Sequence, residues 1–351
     1  MSKLRLNLAC RFYDRTAPLI DGRVQPEGID LNYIQVEPYE IFWRMLHHSE
    51  FDVAECSTSG YFITLERSPA PYIAIPVFPS KMFRHAAIYI NTNSGIKQPK
   101  DLEGRRVGGP EFSQTAALWA RGILQDEYGV DLTKVQWFRG GLEAPDPVER
   151  VELSLPPTIH LEEIEPGKSL NAMLEGGELD AVISPQPEPS SFRRGVAHVQ
   201  RLFPNFRDVE MAYYAKTKLF PIMHSIVIKR SIYEEHPWIA SSLMKAFEEA
   251  KNVCYGQLVH TGVLSAALPW LHWHLEEEYR FFGRDPFAYG VHANRGELET
   301  LVRYSFEQGL THELVDIDRA FAPEASDMFN NAIRYGSAGP VGPLRFTTQG
   351  R

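Results

Sequence analysis

Residues 101–131 run through a turn, a short apolar strand closed by Gly108 and Gly109, a polar loop, and a helix over 116–128 opened by Ser113, Gln114 and Thr115. A strand that delivers a Ser/Thr-rich loop to a helix start is a unit of alternating α/β architecture. It also builds an anion site, because first-turn N–H groups lack intrahelical partners and the helix dipole is positive there. A small molecule bearing a carboxylate is the expected guest.

The same alternation covers most of the chain. Strand spacing is read over 4–9, 29–36, 51–54, 72–78, 86–91, 107–109, 135–138, 178–183 and 224–229, with helices over 38–48, 116–128 and 168–175. Polar loops at 11–16, 57–60 and 184–187 follow strand ends. The Pro/Glu-rich stretch 140–167 reads as an insertion holding a hairpin of 151–155 with 158–162. From Ser231 onward the pattern is mostly helical, clearest over 238–257 and 297–308. With 351 residues, 44% of them hydrophobic, the chain can bury a large core and exceeds one ordinary domain. The expected architecture is therefore two α/β lobes with a helical C-terminal extension. Residues 1–90 form the first part of lobe I, 91–222 form lobe II, and 223–351 supply a strand returning to lobe I and the helical region. Strand-end loops of both lobes then line one cleft.

A formal net charge of −9 offers no footprint for nucleic acid or for an anionic membrane, so neither is expected as a partner. No apolar run has the length of a transmembrane helix, and Arg5, Arg11, Asp14 and Arg15 precede any run of signal-peptide length. Cys10, Cys56 and Cys254 are odd in number and widely spaced, as free thiols of a cytoplasmic protein are. His272-Trp273-His274 before Glu276, Glu277 and Glu278 has metal-ligand residue types, but HxH on a helix points the imidazoles apart. It reads as a solvated face, and no metal is expected. Dinucleotide, P-loop and nucleophile-elbow signatures are missing, so no nucleotide cofactor is expected either. The helical C-terminal region is long enough to build a homo-oligomer interface.

Three segments carry a resemblance: Lys100-Asp101-Leu102-Glu103-Gly104-Arg105-Arg106-Val107-Gly108, Leu174-Glu175-Gly176-Gly177-Glu178-Leu179-Asp180-Ala181-Val182, and Phe220-Pro221-Ile222-Met223-His224. Together they resemble the type II periplasmic binding protein fold. The opening Leu6-Asn7-Leu8-Ala9-Cys10-Arg11-Phe12-Tyr13-Asp14-Arg15-Thr16 extends the match, over essentially the whole chain, to the 4,5-dihydroxyphthalate decarboxylase family. That resemblance implies cofactor-independent conversion of 4,5-dihydroxyphthalate, a small aromatic dicarboxylate, to protocatechuate and CO2 in an interlobe cleft. The same scaffold also serves non-catalytic solute-binding proteins for small aromatic or pyrimidine-like ligands. The lack of a signal-peptide-like run favours the enzyme.

Direct loss of CO2 would leave an aryl carbanion, so the ring carbon must first be protonated by a general acid. His85 and His224 stand before the outgoing and returning crossing strands and are the candidate proton donors. Arginine suits a retained carboxylate through its planar fork, and Arg11, Arg15, Arg84 and Arg139 all sit at strand ends. Arg84 leads them, because Lys81, Arg84 and His85 fall together. Tyr13 and Asp14 are placed to meet ring hydroxyls, with Asp14 as acceptor. Ser57, Thr58 and Ser59 in one lobe and Ser113, Gln114 and Thr115 in the other supply further donors, and Gln186 adds a contact from the loop Ser184-Pro185-Gln186-Pro187. The competing structural roles are surface ion pairs for the arginines, core packing for the histidines and helix capping for the hydroxyls.

Overall fold

The computed structural model describes residues 3–144, 151–185 and 187–326. Lobe I begins with β1 (Leu4–Cys10), α1 (Ala17–Ile20), β2 (Ile29–Gln35), α2 (Pro38–His48), β3 (Val53–Ser57), α3 (Thr58–Leu65) and β4 (Tyr72–Lys81). Lobe II follows with β5 (Ile88–Asn91), β6 (Arg106–Gly109), α4 (Thr115–Tyr128), β7 (Gln136–Arg139), β8 (Leu161–Glu163), α5 (Leu170–Gly176), β9 (Ala181–Ile183), α6 (Ser190–Arg193), β10 (Val199–Arg201) and α7 (Phe206–Thr217). The chain returns through β11 (Ile222–Lys229). It continues in α8 (Arg230–Glu235), α9 (Trp238–Leu258), α10 (Leu271–Phe282), α11 (Arg295–Glu307), α12 (Ile317–Ala320) and α13 (Pro323–Ser326).

The lobe I sheet has the order β2-β1-β3-β11-β4, and the lobe II sheet β10-β5-β9-β6-β7-β8. Only β11 runs against the other strands of the first sheet, and only β5 against those of the second. The carboxyl ends of β1–β4 and the start of β11 therefore share one edge. The ends of β6–β9 and the start of β5 share another, which is where an α/β fold binds ligands. Because β5 lies wholly in the second sheet, the outgoing crossover falls between Lys81 and Ile88, a few residues ahead of the boundary at 90.

Several elements follow directly from local chemistry. In α2 the apolar residues Ile41, Phe42, Met45 and Leu46 recur at helical spacing and are buried, and Ser49 in the left-handed conformation ends the helix. Over 115–124 the helix α4 is buried on all sides, because lobe I, the lobe II sheet and α11 all pack against it. Trp119 donates its indole N–H to the Ile222 carbonyl at 2.8 Å and meets the Tyr304 ring edge-on at 5.5 Å. Arg303 pairs with Asp126, and Arg121 donates to Gln308 at 2.7 Å. The helical C-terminal region thus straps both lobes together, and the largest core cluster includes residues of each.

Three local expectations are corrected. Residues 151–155 form no strand; β8 instead joins the sheet edge parallel to β7, where its backbone groups find partners without a hairpin. Residues 57–60 are not a loop, since β3 runs to Ser57 and α3 starts at Thr58. Strand β4 extends to Lys81 because β11 pairs with it, through register shifts around His224, as far as Ile222. Among the described residues no helix is long and apolar enough to cross a membrane.

Gly122 marks the closest approach of α4 and α11: a Cβ there would lie 2.2 Å from the Tyr304 ring. In an open helix Gly→Ala adds up to about 1 kcal/mol of stability. Here overpacking reverses the sign, so Gly122→Ala is expected to lose about 1–3 kcal/mol. Urea unfolding measures this, and a stabilised variant would contradict the close packing of the two helices.

Candidate functional site

One acidic residue organises the ligand edge of lobe I. Strand β3 is buried along its whole length, yet it carries Glu55, whose side chain is fully enclosed. A bare carboxylate there would be strongly disfavoured. Glu55 instead accepts from His224 Nδ1 at 2.5 Å, the Tyr13 hydroxyl at 2.6 Å, the Arg11 backbone N–H at 2.9 Å and the Cys10 thiol at 3.4 Å. Burial alone would push the Glu55 carboxyl up. The hydrogen bond and charge of His224, with Tyr13 and Arg11, more than offset this and hold it below its ordinary range. Tyr13 is driven upward by burial and by the Glu55 charge, so it stays a neutral donor.

Strand register explains why these groups meet. Ala9 pairs with Ala54, which brings Cys10 and Arg11 beside Glu55, and His224 pairs with Ser57 across the antiparallel β3–β11 ladder. The imidazole of His224 also packs edge-on against Phe42 at 4.9 Å. An ionised carboxylate only accepts, so Nδ1 carries the proton and Nε2 is the free nitrogen. Nε2 has no hydrogen bond among the described residues, and the side chain keeps 19% exposure.

Arg84 lies in the outgoing crossover and is 8% exposed. Its Nε donates to the Met223 thioether at 3.0 Å, and no carboxylate among the described residues lies within ion-pair distance. Burial lowers its pKa to about 10, against the pull of Glu210 and Tyr13, so it is still a cation at neutral pH. A buried guanidinium without a counter-ion leaves an electrostatic deficit that an anionic ligand removes. The other candidate arginines are already paired. Arg15 donates to Asp14 at 2.8 Å and to the Pro79 carbonyl at 3.0 Å, and stacks on Phe287 at 3.8 Å. Arg11 faces Glu37 at 3.6 Å, and Arg139 pairs with Glu163.

The two helix starts named by the sequence do come together. Ser57 Oγ and Thr115 Oγ1 are 2.8 Å apart, the Ser59 N–H donates to Thr115 Oγ1 at 3.1 Å, and Ser59 Oγ donates to the Ser113 carbonyl at 2.5 Å. Thr58 bonds Ser225 at 3.0 Å instead. These hydroxyls tie α3 of lobe I to α4 of lobe II, which differs from the expected row of free donors. The side-chain oxygen Oε1 of Gln114 is buried without a partner among the described residues.

Other candidates are placed elsewhere. His85 is enclosed by Phe203, Tyr213 and Tyr128 with the Glu210 carboxylate 3.9 Å from Nδ1, neither ring nitrogen is hydrogen-bonded among the described residues, and burial pushes its pKa down to about 4. Its side chain is fully buried, unlike that of His224. Asp14 pairs with Arg15 at 2.8 Å and lies beside Cys254, so its carboxylate is already engaged within the chain. Lys81 is buried against Asn294 at 2.8 Å and Glu297 at 3.4 Å, so its charge is spent on α11 and the turn before it. Gln186 lies outside the described residues. Among the described residues no cluster of three or more His, Cys, Asp or Glu side chains is arranged to hold a metal ion. Sequence reasoning missed Glu55, although a lone acid inside the apolar run Val53-Ala54-Glu55-Cys56 was its signal.

No model of a known protein family matches the chain. Over 329 residues it is 37% identical to the 4,5-dihydroxyphthalate decarboxylase of Comamonas testosteroni, covering 94% of this chain and 99% of that protein. It is 41% identical over 203 residues to the 4,5-dihydroxyphthalate decarboxylase of Pseudomonas putida, covering 58% and 78%. Among solved structures it resembles the periplasmic sulfonate-binding protein SsuA of Methylobacillus flagellatus, with a TM-score of 0.52, 15% identity and 92% of each chain covered. The alkanesulfonate-binding SsuA of Xanthomonas axonopodis, bound to MOPS, gives a TM-score of 0.50 at 12% identity over 93% of this chain and 99% of that one. The fold is accordingly the two-lobed α/β architecture of type II periplasmic binding proteins.

Glu55→Gln tests the carboxylate. An amide cannot accept from all four donors, and each donor left unpaired costs about 1–3 kcal/mol. The variant should therefore be less stable than the parent near neutral pH. Since the folded Glu55 carboxyl lies below its unfolded value of about 4.3, its contribution is present above that pH and lost as pH falls through the folded value. The gap between parent and variant should close on acidification, as urea unfolding from pH 7 to pH 3 will show; a pH-independent gap contradicts the assignment.

Proposed function

We propose that this chain, which belongs to the 4,5-dihydroxyphthalate decarboxylase family, converts 4,5-dihydroxyphthalate to protocatechuate and CO2. The observation that carries the reading is a buried Arg84, without a carboxylate partner among the described residues and bonded to Met223, beside which in sequence stands a His224 whose Nδ1 is held by an ionised Glu55. An aromatic dicarboxylate satisfies both features at once. Its retained carboxylate neutralises Arg84, with the first turns of α3 and α4 as further donors.

The other carboxylate sits on the ring carbon that faces His224 Nε2. The imidazolium, stabilised by Glu55, donates its Nε2 proton to that carbon while the hydroxyl para to it feeds electron density into the ring. The C–C bond to the carboxylate then breaks and its electron pair restores the aromatic sextet. CO2 leaves, and the donated proton remains on the ring as the new C–H. Glu55 does not touch the substrate in this scheme; it fixes the tautomer and orientation of His224 as a positioning residue. No step calls for a metal or an organic cofactor. The three buried thiols, Cys10, Cys56 and Cys254, suit the reducing cytoplasm, where we place the reaction.

Purified protein incubated with 4,5-dihydroxyphthalate should produce protocatechuate at the same rate with and without EDTA. His224→Gln is expected to lower kcat by roughly 10²–10⁴-fold with KM little changed. Arg84→Gln should chiefly raise KM, by about 10–100-fold for a lost charge-assisted contact of about 1.5–3 kcal/mol. His85→Gln should leave kcat within a few-fold. Tight binding of the substrate without turnover would sink the decarboxylase reading and leave a solute-binding protein; unchanged kinetics in the His224 variant would remove the proposed acid.

A further inference from the structure

We propose that Tyr13 is a positioning residue that sets the acid strength of His224 by sharing the carboxylate oxygen that holds its imidazole. The proposal rests on His224 being the proton donor of the reaction above. Glu55 divides its four donors between two oxygens. The Arg11 N–H and the Cys10 thiol go to Oε2, at 2.9 Å and 3.4 Å. The Tyr13 hydroxyl and His224 Nδ1 both go to Oε1, at 2.6 Å and 2.5 Å. An oxygen that accepts two short hydrogen bonds offers less of its charge to each, so what Tyr13 takes from Oε1 is lost to the imidazole. A carboxylate attenuated in this way stabilises an imidazolium less, and the ring becomes a stronger acid. Protonation of an aromatic carbon is the demanding step of the scheme, and it gains from that strength.

The loop after β1 fixes Tyr13 in this place. Its N–H donates to Thr16 Oγ1 at 3.2 Å, and its carbonyl accepts from the Thr16 and Ala17 N–H groups at 3.0 Å. The Tyr33 hydroxyl braces the same loop, donating to the Arg11 carbonyl at 2.9 Å and meeting Thr16 Oγ1 at 3.1 Å. The other titratable and charged groups around Glu55 and His224 are Cys10 on β1, Tyr33 on β2, Arg15 in the loop, and Arg84 in the outgoing crossover, near enough for Tyr13 to act on its charge. Strand β4 adds Ser80, which pairs with His224, and α2 adds the Phe42 ring; neither titrates. Burial above all raises Cys10, Tyr13 and Tyr33 over their ordinary values, so none of the three changes charge near neutral pH. Among the described residues only Tyr13 competes with His224 for Oε1.

Two measurements read the acid directly. The alkaline limb of kcat/KM reports the essential acid of the free enzyme. Nitrogen-15 NMR of the His224 ring, assigned by its loss in His224→Gln, follows the same titration with no substrate present. Tyr13→Phe leaves Oε1 wholly to His224 and should move both to higher pH, by about 0.5–1 pH unit for one hydrogen bond lost. Plateau kcat should fall severalfold with KM little changed. Site-specific 3-fluorotyrosine at position 13, a stronger donor in the same packing, should move both to lower pH, and it carries the test if the phenylalanine variant fails to fold. An unmoved limb and titration overturn the proposal. So does a raised KM with an unmoved limb, the result of a direct contact between Tyr13 and a ring hydroxyl. A parent without turnover strikes the decarboxylase reading alone, and the NMR titration still decides the role of Tyr13.

Discussion

A carboxylate enclosed in the middle of a five-stranded sheet is tolerable only if protein groups replace the water it has lost. Glu55 receives those groups from β1, from the loop after it and from β11, so its solvation and the assembly of the ligand edge are the same event. Strand β11 arrives from lobe II, more than 160 residues later in the chain, and its register is pinned where His224 meets Glu55. The hydrogen bond then serves chemistry as well as folding. It holds Nδ1 inside the sheet and leaves Nε2 without a hydrogen bond among the described residues, which is the arrangement the proposed proton transfer uses.

The arrangement of lobes suits an enzyme whose scaffold it shares with solute receptors. Two lobes joined by two crossovers would hinge freely if nothing else connected them. Here α4 sits in a core common to both lobes, the hydroxyls of Ser57, Ser59 and Thr115 bridge two helix starts, and α11 spans the joint through Tyr304, Arg303 and Gln308. Each tie is modest alone, since a neutral hydrogen bond contributes about 1 kcal/mol net. Acting together they hold the His224 end of lobe I and the start of α4 in lobe II at a fixed separation, as the proposed chemistry requires. Catalysis depends on such fixed geometry.

Much of the fold was legible because α/β chains write it in short-range patterns. The apolar spacing of α2, the strand and glycine pair at β6, and the spacing of α4, α9 and α11 all correspond to observed elements. The segment 151–163 was not legible, because β8 is defined by the β7 edge it joins and has no turn chemistry of its own. Around the proposed site, His224 and Tyr13, which meet at Glu55, and the buried Arg84 could be named as candidates from their positions at strand ends. Glu55 could not be found by that rule, since it lies inside a strand and acts through burial. His85 was misjudged for a related reason: its sequence position beside Arg84 says nothing about the aromatic rings that α7 and the end of α4 place around it.

Lys81 and Arg84 show how three residues of separation decide a charge's role. Both are buried cations in one short segment, and burial depresses both. Lys81 ends β4 and meets Glu297 and Asn294, so its charge is absorbed by the strap that joins the lobes. Arg84 lies beyond the last β4–β11 pairing, where its hydrogen-bond partner is a thioether that accepts weakly and carries no charge. The first cation therefore ties β4 to the C-terminal helices whether or not a ligand is present. The second has no such partner among the described residues, and in the proposed reaction the substrate carboxylate would offset the cost of its burial.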